Sequence, residues 1–597
     1  MFERLKTANA NQTEADGAMT GHVRRVDGEP MWLLFEPNPV YSVLHAPEAG
    51  PLSATAVLML PTFGWDNDSS YRSRRRWASA LAQAGHTTLR IDLPGSEDSV
   101  GSGLAPGRYQ SWLEAVAGAA QWLREQPGCA RVVAVGVGLG GLLAYETAAT
   151  GAPIDDLILW AVPARGRSYM RELRVYADIV SGSLGDIGDA HRTDGVLGIG
   201  GHPMSAETAA AIDDIRLDEL ELPNARERRV MLIGRDDHGV DRRLQDHLTE
   251  QGVKLTLQTA SDYSALMEVA EFDLAPTETI SRSIQWLAEI PTKEIARDSQ
   301  PHAPDTASSI IFEITGRLIR ETLTSLQTPQ GRMVGIITEP IDGESSDISL
   351  VAVNSGALRR TGPNRLTPVM ARRAAAAGIS AARFDLPGLG DSDGEYVQRA
   401  ERTYAEEEPG VQLISKILDH LESEGIANRF VACGLCSGAY WPMRAAIRER
   451  RLVACILINL RVFKWTPREA ARANIPWPPD PNEKKSIRAR AREFAVAVAL
   501  KRGGQLPWRL RFHRDLADAR RVFSALNAHQ TRALFIFSQT EQMLEMLEGS
   551  GTLMRISKRW PAIRVQTLPT IDHEVRPFWV QEILLDLVDA ELRSLAK

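Results

Sequence analysis

Disulfide scaffolds, membrane spans, metal clusters and phosphate loops all need residues that this chain lacks. Four cysteines (Cys129, Cys433, Cys436 and Cys455) are spread over 597 residues. That is too sparse for a disulfide framework. No window approaches the roughly 18 uninterrupted apolar residues of a spanning helix. Met1 to Asp16 is polar and has no apolar h-region, so no secretory signal is expected. Neither G-x-x-x-x-G-K-[ST] nor H-E-x-x-H occurs, so no metal or organic cofactor is implied. Charge of one sign is also missing. The 69 Lys and Arg nearly balance the 76 Asp and Glu, for a net charge of -7. Such a surface gives no reason to expect nucleic acid as a partner. The chain reads as soluble and cytoplasmic.

What is present is ordinary globular material, 44% hydrophobic and 24% charged. The length calls for more than one domain. Apolar runs expected to be strands are Met31 to Phe35, Ala54 to Leu60, Thr87 to Leu93 and Arg131 to Val135. Between them, helices are expected at Ser73 to Ala84, closed by Gly85, and at Tyr109 to Glu125. Strands alternating with helices indicate βαβ units and a mostly parallel sheet.

The order then repeats. RIDLPGSEDSVG begins at Arg90, and RFDLPGLGDSDG begins 293 residues later at Arg383. The same offset carries Pro61 to Asn354, at the end of the apolar run Ile348 to Val353. The strand at Arg131 recurs at Arg429, where the offset has grown to 298. So long a period argues for two tandem domains and against a solenoid. The fold class expected is α/β, with residues 1–290 and 310–597 as the domains. The polar, proline-bearing stretch 291–309 is the linker. Arg332 to Ile337 belongs to a β-rich start of the second half.

The most telling stretch is RFVACGLCSGAY, Arg429 to Tyr440. A buried strand to Cys433 and a helix over Tyr440 to Glu449 would flank Gly434-Leu435-Cys436-Ser437-Gly438. Strand, G-x-nucleophile-x-G, helix is the setting of a nucleophile elbow. The glycines are needed because a side chain at either flank would clash with the adjoining strand or helix. A helix N-terminus beneath Cys436 favours a thiolate and offers N–H groups to an oxyanion. The competing reading of Cys436 is a small buried residue. Cys433 and Cys436 also form C-x-x-C, but Cys433 lies in the strand. Thioredoxin-like chemistry needs the first cysteine exposed at the helix start.

On these motifs both halves resemble the α/β-hydrolase superfamily, over most of the chain. Cysteine at the elbow looks like the dienelactone-hydrolase branch. NSGALRRTGPNRL (from Asn354), GLCSGAY (from Gly434) and IDHEVRP (from Ile571) look like bacterial hydrolases found beside polysaccharide and natural-product pathways. The superfamily implies a triad in the order nucleophile, acid, histidine. Strand Arg532 to Phe537 is followed by Glu541, the candidate acid; its competing reading is an exposed glutamate opening the next helix. Strand Arg564 to Leu568 is followed by His573, the candidate base. Oxyanion donors would be the Ser437 N–H and that of Gly356 or Ala357.

In the first half the elbow reads Gly136-Val137-Gly138-Leu139-Gly140, with no side chain at the nucleophile position. Tyr263 falls at the histidine position, and Asp236 and Asp237 lie near the acid position. This half is expected to be a pseudoenzyme domain with a structural, dimerising or substrate-holding role. Each half also carries an insertion where the fold places a lid, over about 164–222 and about 462–532. The second holds Trp465, Trp477, Trp508 and Phe512 with Arg488, Arg490, Arg492, Lys501, Arg502, Arg509, Arg511 and Arg514. Such a set could grip an anionic or conjugated acyl group, though a solvated charged face is the plainer reading.

The resemblance implies a cysteine-dependent acyl hydrolase or acyl transferase. Its partner would be a small-molecule or carrier-tethered acyl substrate, and self-association is left open. The rival is a binding or scaffold protein with both sites degenerate.

Overall fold

The computed structural model describes residues 28–47, 52–183, 195–258, 262–267, 274–290, 294–295, 305–343, 345–394, 407–466 and 508–596. Strands of the first half are β1 (Glu29–Leu33), β2 (Val40–His45), β3 (Leu52–Ser53), β4 (Thr55–Met59), β5 (Thr88–Ile91), β6 (Arg131–Val137), β7 (Asp156–Trp160), β8 (Leu197–Ile199), β9 (His202–Met204), β10 (Arg229–Ile233) and β11 (Lys254–Gln258). Two short strands fall inside 291–309: β12 (Glu294–Ile295) and β13 (Thr306–Ala307). Then come β14 (Ser309–Ile314), β15 (Arg317–Thr328), β16 (Gly331–Pro340), β17 (Ile348–Val353), β18 (Ser380–Phe384), β19 (Arg429–Leu435), β20 (Leu452–Ile458), β21 (Arg532–Ser538) and β22 (Ile563–Leu568).

Eighteen of them form two nine-stranded sheets of one design, while β3 pairs with β12 and β8 with β9. The first runs β13-β1-β2-β5-β4-β6-β7-β10-β11 and the second β14-β15-β16-β18-β17-β19-β20-β21-β22. In both, the strands from the fourth onward are parallel and those before it antiparallel. The expected α/β class with two mostly parallel sheets is what is found.

Burial on both faces explains the unbroken apolar runs. Along β4, Leu58 joins a core under helices Arg108–Arg124 and Leu139–Ala149. Its neighbours Val57 and Met59 point to the opposite core, with Trp77 and Leu81. The second sheet is covered in the same way, with Val351 on one face and Leu350 on the other. A smaller cluster bridges the halves, where Trp32, Tyr41 and Val43 meet Ile310 and Ile336.

The repeated twelve-residue motif is the main joint. Arg90 pairs with Asp391 at 2.8 Å, and its counterpart Arg383 pairs with Asp98 at 3.1 Å. Each half thus offers the same arginine to the same aspartate of the other, as in an isologous contact. Arg359 and Arg360 reinforce Asp98 at 2.9 and 2.8 Å. Burial alone would raise Asp98, but Arg360, Arg383, Arg359 and Arg372 overrule it and hold the carboxyl well below its ordinary range.

Two helices depart from expectation. The first spans Trp65–Gln83, not Ser73 to Ala84. Its early turns lack apolar spacing because they face the joint. Asn67, Asp68, Ser69 and Ser70 are buried there, Asn67 donates to Glu97, and Tyr71 donates to Asp391. Asp66 and Asp68 suit its N-terminal end. The elbow helix spans Ser437–Ala446, not Tyr440 to Glu449, because it starts directly at the turn.

Candidate active site

Two elbows share one backbone. The residue after β6 is Gly138 at φ 52° and ψ −116°, and the residue after β19 is Cys436 at φ 59° and ψ −120°. A helix starts at the next residue in each. A Cβ on Gly434 would lie 2.0 Å from Gly438 O, and one on Gly438 would lie 2.4 Å from Asn354 O. Neither flank can carry a side chain. For Cys436, a left-handed conformation costs about 1–3 kcal/mol, offset by the packing around the turn.

All four cysteines are free thiols. Burial pushes Cys433 up to about 12 and also raises Cys455 and Cys129. Cys436 is half-buried at the elbow.

His573 and Glu541 meet. Glu541 is the residue before helix Gln542–Gly549, just past β21, and its Oε1 lies 2.6 Å from His573 Nδ1. It is therefore not the exposed helix-opening glutamate of the competing reading; its side chain is 11% exposed. With Nδ1 turned to the carboxylate, Nε2 is left for Cys436. That nitrogen is buried without a direct hydrogen bond, yet the thiol is near enough to act on its titration. Burial opposes a charge on His573, but Cys436 and Glu541 outweigh it and push the imidazole up to about 10.

The loop carrying His573 is held by side-chain amides and hydroxyls that sequence reading did not single out. Asn459 Nδ2 donates to His573 O at 2.6 Å, and Ser538 Oγ donates to Asp572 O at 2.7 Å. Asn364 Nδ2 reaches Glu574 O at 2.9 Å and Val575 O at 3.3 Å. Asp572 accepts from the backbone N–H of Arg576 at 2.6 Å and pairs with its guanidinium. One signal was there to read: Asn459 is a polar residue closing the apolar run of β20.

On the oxyanion side, Gly356 N–H donates to Ser437 Oγ at 2.7 Å. The loop after β17 therefore touches the residue following Cys436. Ala357 is buried beside it. In the lid, Trp465 packs edge-on against Tyr440, with ring centroids 6.3 Å apart. Trp477, Arg488, Arg490, Arg492, Lys501 and Arg502 lie outside the described residues. Trp508, Arg509, Arg511 and Phe512 fall in helix Trp508–Ala528, where only the backbone is described, and Arg514 is exposed.

The first-half site is filled. A Cβ on Gly138 would come 3.3 Å from Tyr169 Cε2. Burial raises the Tyr169 hydroxyl well above its ordinary value, against a smaller pull from the Leu139 amide. The Tyr169 ring thus stands against the nucleophile position. Tyr263 lies beside Trp160 and under Arg235, and burial raises it too. Asp236 accepts from Ser264 N–H and Oγ at 3.0 and 2.8 Å, and Asp237 pairs with Arg235.

Residues 57–271 match the model of the Alpha/beta hydrolase family. The match supports an α/β-hydrolase fold for that segment. The matched segment contains the elbow that has Gly138 at its turn. Est1E from Butyrivibrio proteoclasticus is 14% identical, over 44% of this chain and 98% of its own, with a TM-score of 0.31. The esterase Pf2001 of Pyrococcus furiosus is 13% identical, over 45% and 92%, with a TM-score of 0.29. The α/β-hydrolase GrgF from Penicillium sp. sh18 is 15% identical, over 46% and 96%, with a TM-score of 0.29. No curated protein matches the chain. Among the described residues no His, Cys, Asp and Glu group could hold a metal ion, and no helix is long and apolar enough to cross a membrane.

Proposed function

We propose that the second half is a cysteine-dependent acyl hydrolase or acyl transferase, and that the first half is a non-catalytic partner. One observation carries this reading: His573 is held by Glu541 at Nδ1 while Cys436 stands at the elbow and acts on the same ring.

The chemistry follows from those positions. The Cys436 thiol passes its proton to Nε2 of His573 as the sulfur attacks the acyl carbonyl carbon, and a C–S bond forms as the carbonyl becomes an oxyanion. The Ser437 and Gly356 amides stabilise it, the latter released from the Ser437 hydroxyl. The tetrahedral centre collapses, the bond to the leaving group breaks, and Nε2–H of His573 gives its proton to that group. Water or another acceptor then attacks the thioacyl carbonyl, passing its proton to Nε2; the C–S bond breaks, the acyl product departs, and Nε2–H returns the proton to the Cys436 sulfur. Glu541 keeps the imidazole in the useful tautomer throughout.

The test is intact-protein mass spectrometry after brief exposure to p-nitrophenyl acetate, with peptide mapping. The expected result is a single acyl adduct on Cys436 that decays with turnover. Acylation mapping to Cys433, Cys455 or a lysine, with Cys436→Ala still turning over the ester, overturns it. No adduct and no turnover favours the binding or scaffold reading.

A further inference from the structure

We infer that the first half serves as a positioning element for the second half's histidine. This rests on the proposed roles of Cys436 and His573. The inference starts from the two amide side chains Asn364 and Gln581, which hold the loop after β22 and are themselves seated on the first half.

Asn364 donates to Glu574 O and Val575 O, next to His573. Gln581 Nε2 donates to Arg576 O at 3.0 Å and also to Gly201 O of the first half at 2.8 Å. Gly201 sits in the β8–β9 turn at φ +98°, and a Cβ there would come 1.9 Å from Asn364 Oδ1. So one first-half turn touches both amides, and only glycine fits. The neighbouring Arg365 is clamped as well. Its guanidinium donates to Glu97 O, Gly95 O, Gly101 O and Ser99 O at 2.8, 2.7, 3.0 and 2.6 Å, all on the first half's repeated motif. Asn364 and Arg365 are both left-handed, at φ 58° and 59°. Such a pair persists only where its surroundings over-determine it, and here the first half does so. Burial raises the hydroxyl of Tyr176 in the first-half insertion, and Arg576 stands close enough to pull it back down.

A chain of short contacts therefore runs from the first half through Arg365, Asn364 and Gln581 to the backbone that directly follows His573. Alignment of a catalytic base is sensitive to displacements of about 1 Å, which cost about a hundredfold. Asn364, Gln581 and Gly201 are positioning residues in this account, and the first half has a task that needs no nucleophile of its own.

The full chain tests this with Gly201→Ala, acting from the first half, and Gln581→Leu, acting from the second. Two readouts are taken: the pH profile of Cys436 alkylation by iodoacetamide, and kcat against KM with p-nitrophenyl acetate. In wild type, alkylation depends on His573 and is lost to the level of His573→Ala when that residue is removed. Each positioning variant is expected to move the profile toward that of His573→Ala and to lower kcat by about 10- to 100-fold with little change in KM. Far-UV circular dichroism and melting identify a variant that has not folded; the other then decides. Folded variants with the wild-type profile and kcat overturn the inference and leave the triad standing. A wild-type profile indifferent to His573→Ala overturns the triad and this inference together.

Discussion

The two elbows differ by one side chain and by what surrounds it. Gly138 and Cys436 have nearly the same backbone angles, the same flanking glycines and the same strand and helix. Beside Cys436 stand His573 and Glu541; against Gly138 stands Tyr169, while Asp236 and Asp237, near the acid position, are engaged by Ser264 and Arg235. The contrast extends behind the site. Asn459, whose amide holds His573 O, is replaced at the corresponding end of β7 by Ala161, and both are left-handed at φ 48° and 54°. The lesson is that the elbow is a folding feature first. It survives with no side chain at Gly138 because the strand-to-helix turn depends on its glycines, whereas a triad depends on three side chains and their supports.

The sharpest way to separate the halves is to remove the sulfur. Cys436→Ala should lower kcat for p-nitrophenyl acetate by about a thousandfold or more, and His573→Ala by a similar factor. Glu541→Gln should cost about a hundredfold less than either, since it orients and does not react. Steady-state kinetics on the three variants checks the order; equal losses from all three would show that Glu541 does more than orient.

The joint between the halves can be broken next. Asp98 is fully buried among Arg359, Arg360 and Arg383. Asp98→Asn leaves those cations without their carboxylate and should cost about 3–5 kcal/mol in urea unfolding. Asp391→Asn should cost a similar amount if the two ends of the joint are equivalent. A large inequality would show that one half dominates it.

A smaller effect separates the halves by pH. His573 is raised from 6.5 to about 10 in the folded chain. A group raised on folding contributes stability that is whole below its unfolded value and is lost as pH rises through the folded one. The melting temperature should therefore fall more steeply between about pH 7 and about pH 10 in wild type than in His573→Gln. Parallel curves would remove the charged imidazole from the account.

The smallest expected effect is none. Gly138→Ser in a Cys436→Ala background should create no esterase turnover, because the new side chain meets Tyr169 and finds no base. Tyr263 cannot replace a histidine, since burial raises its hydroxyl further from neutrality. Measurable turnover would show that the first half needs only a nucleophile.

Much of this was legible in local residue order. Apolar runs such as Ile348–Val353 must be strands buried on both faces, and their alternation with helices dictates a parallel sheet. The glycine spacing around Cys436 requires a tight turn, because no other residue fits there. The repeated RxDLPG motif announced the second sheet. Those features follow from backbone sterics and side-chain period, which act over a few residues. What the tertiary structure alone decided are contacts between residues far apart in the chain. The polar start of helix Trp65–Gln83 carries no apolar period, and only the joint shows why it is helical. Glu541 could be named from its place after β21, but only the pairing of β21 with β22 brought it 2.6 Å from His573 and set it apart from an exposed helix-opening glutamate. Asn364, Gln581 and Gly201 had no pattern to betray them, since a hydrogen bond across 380 residues leaves no periodic trace in the sequence.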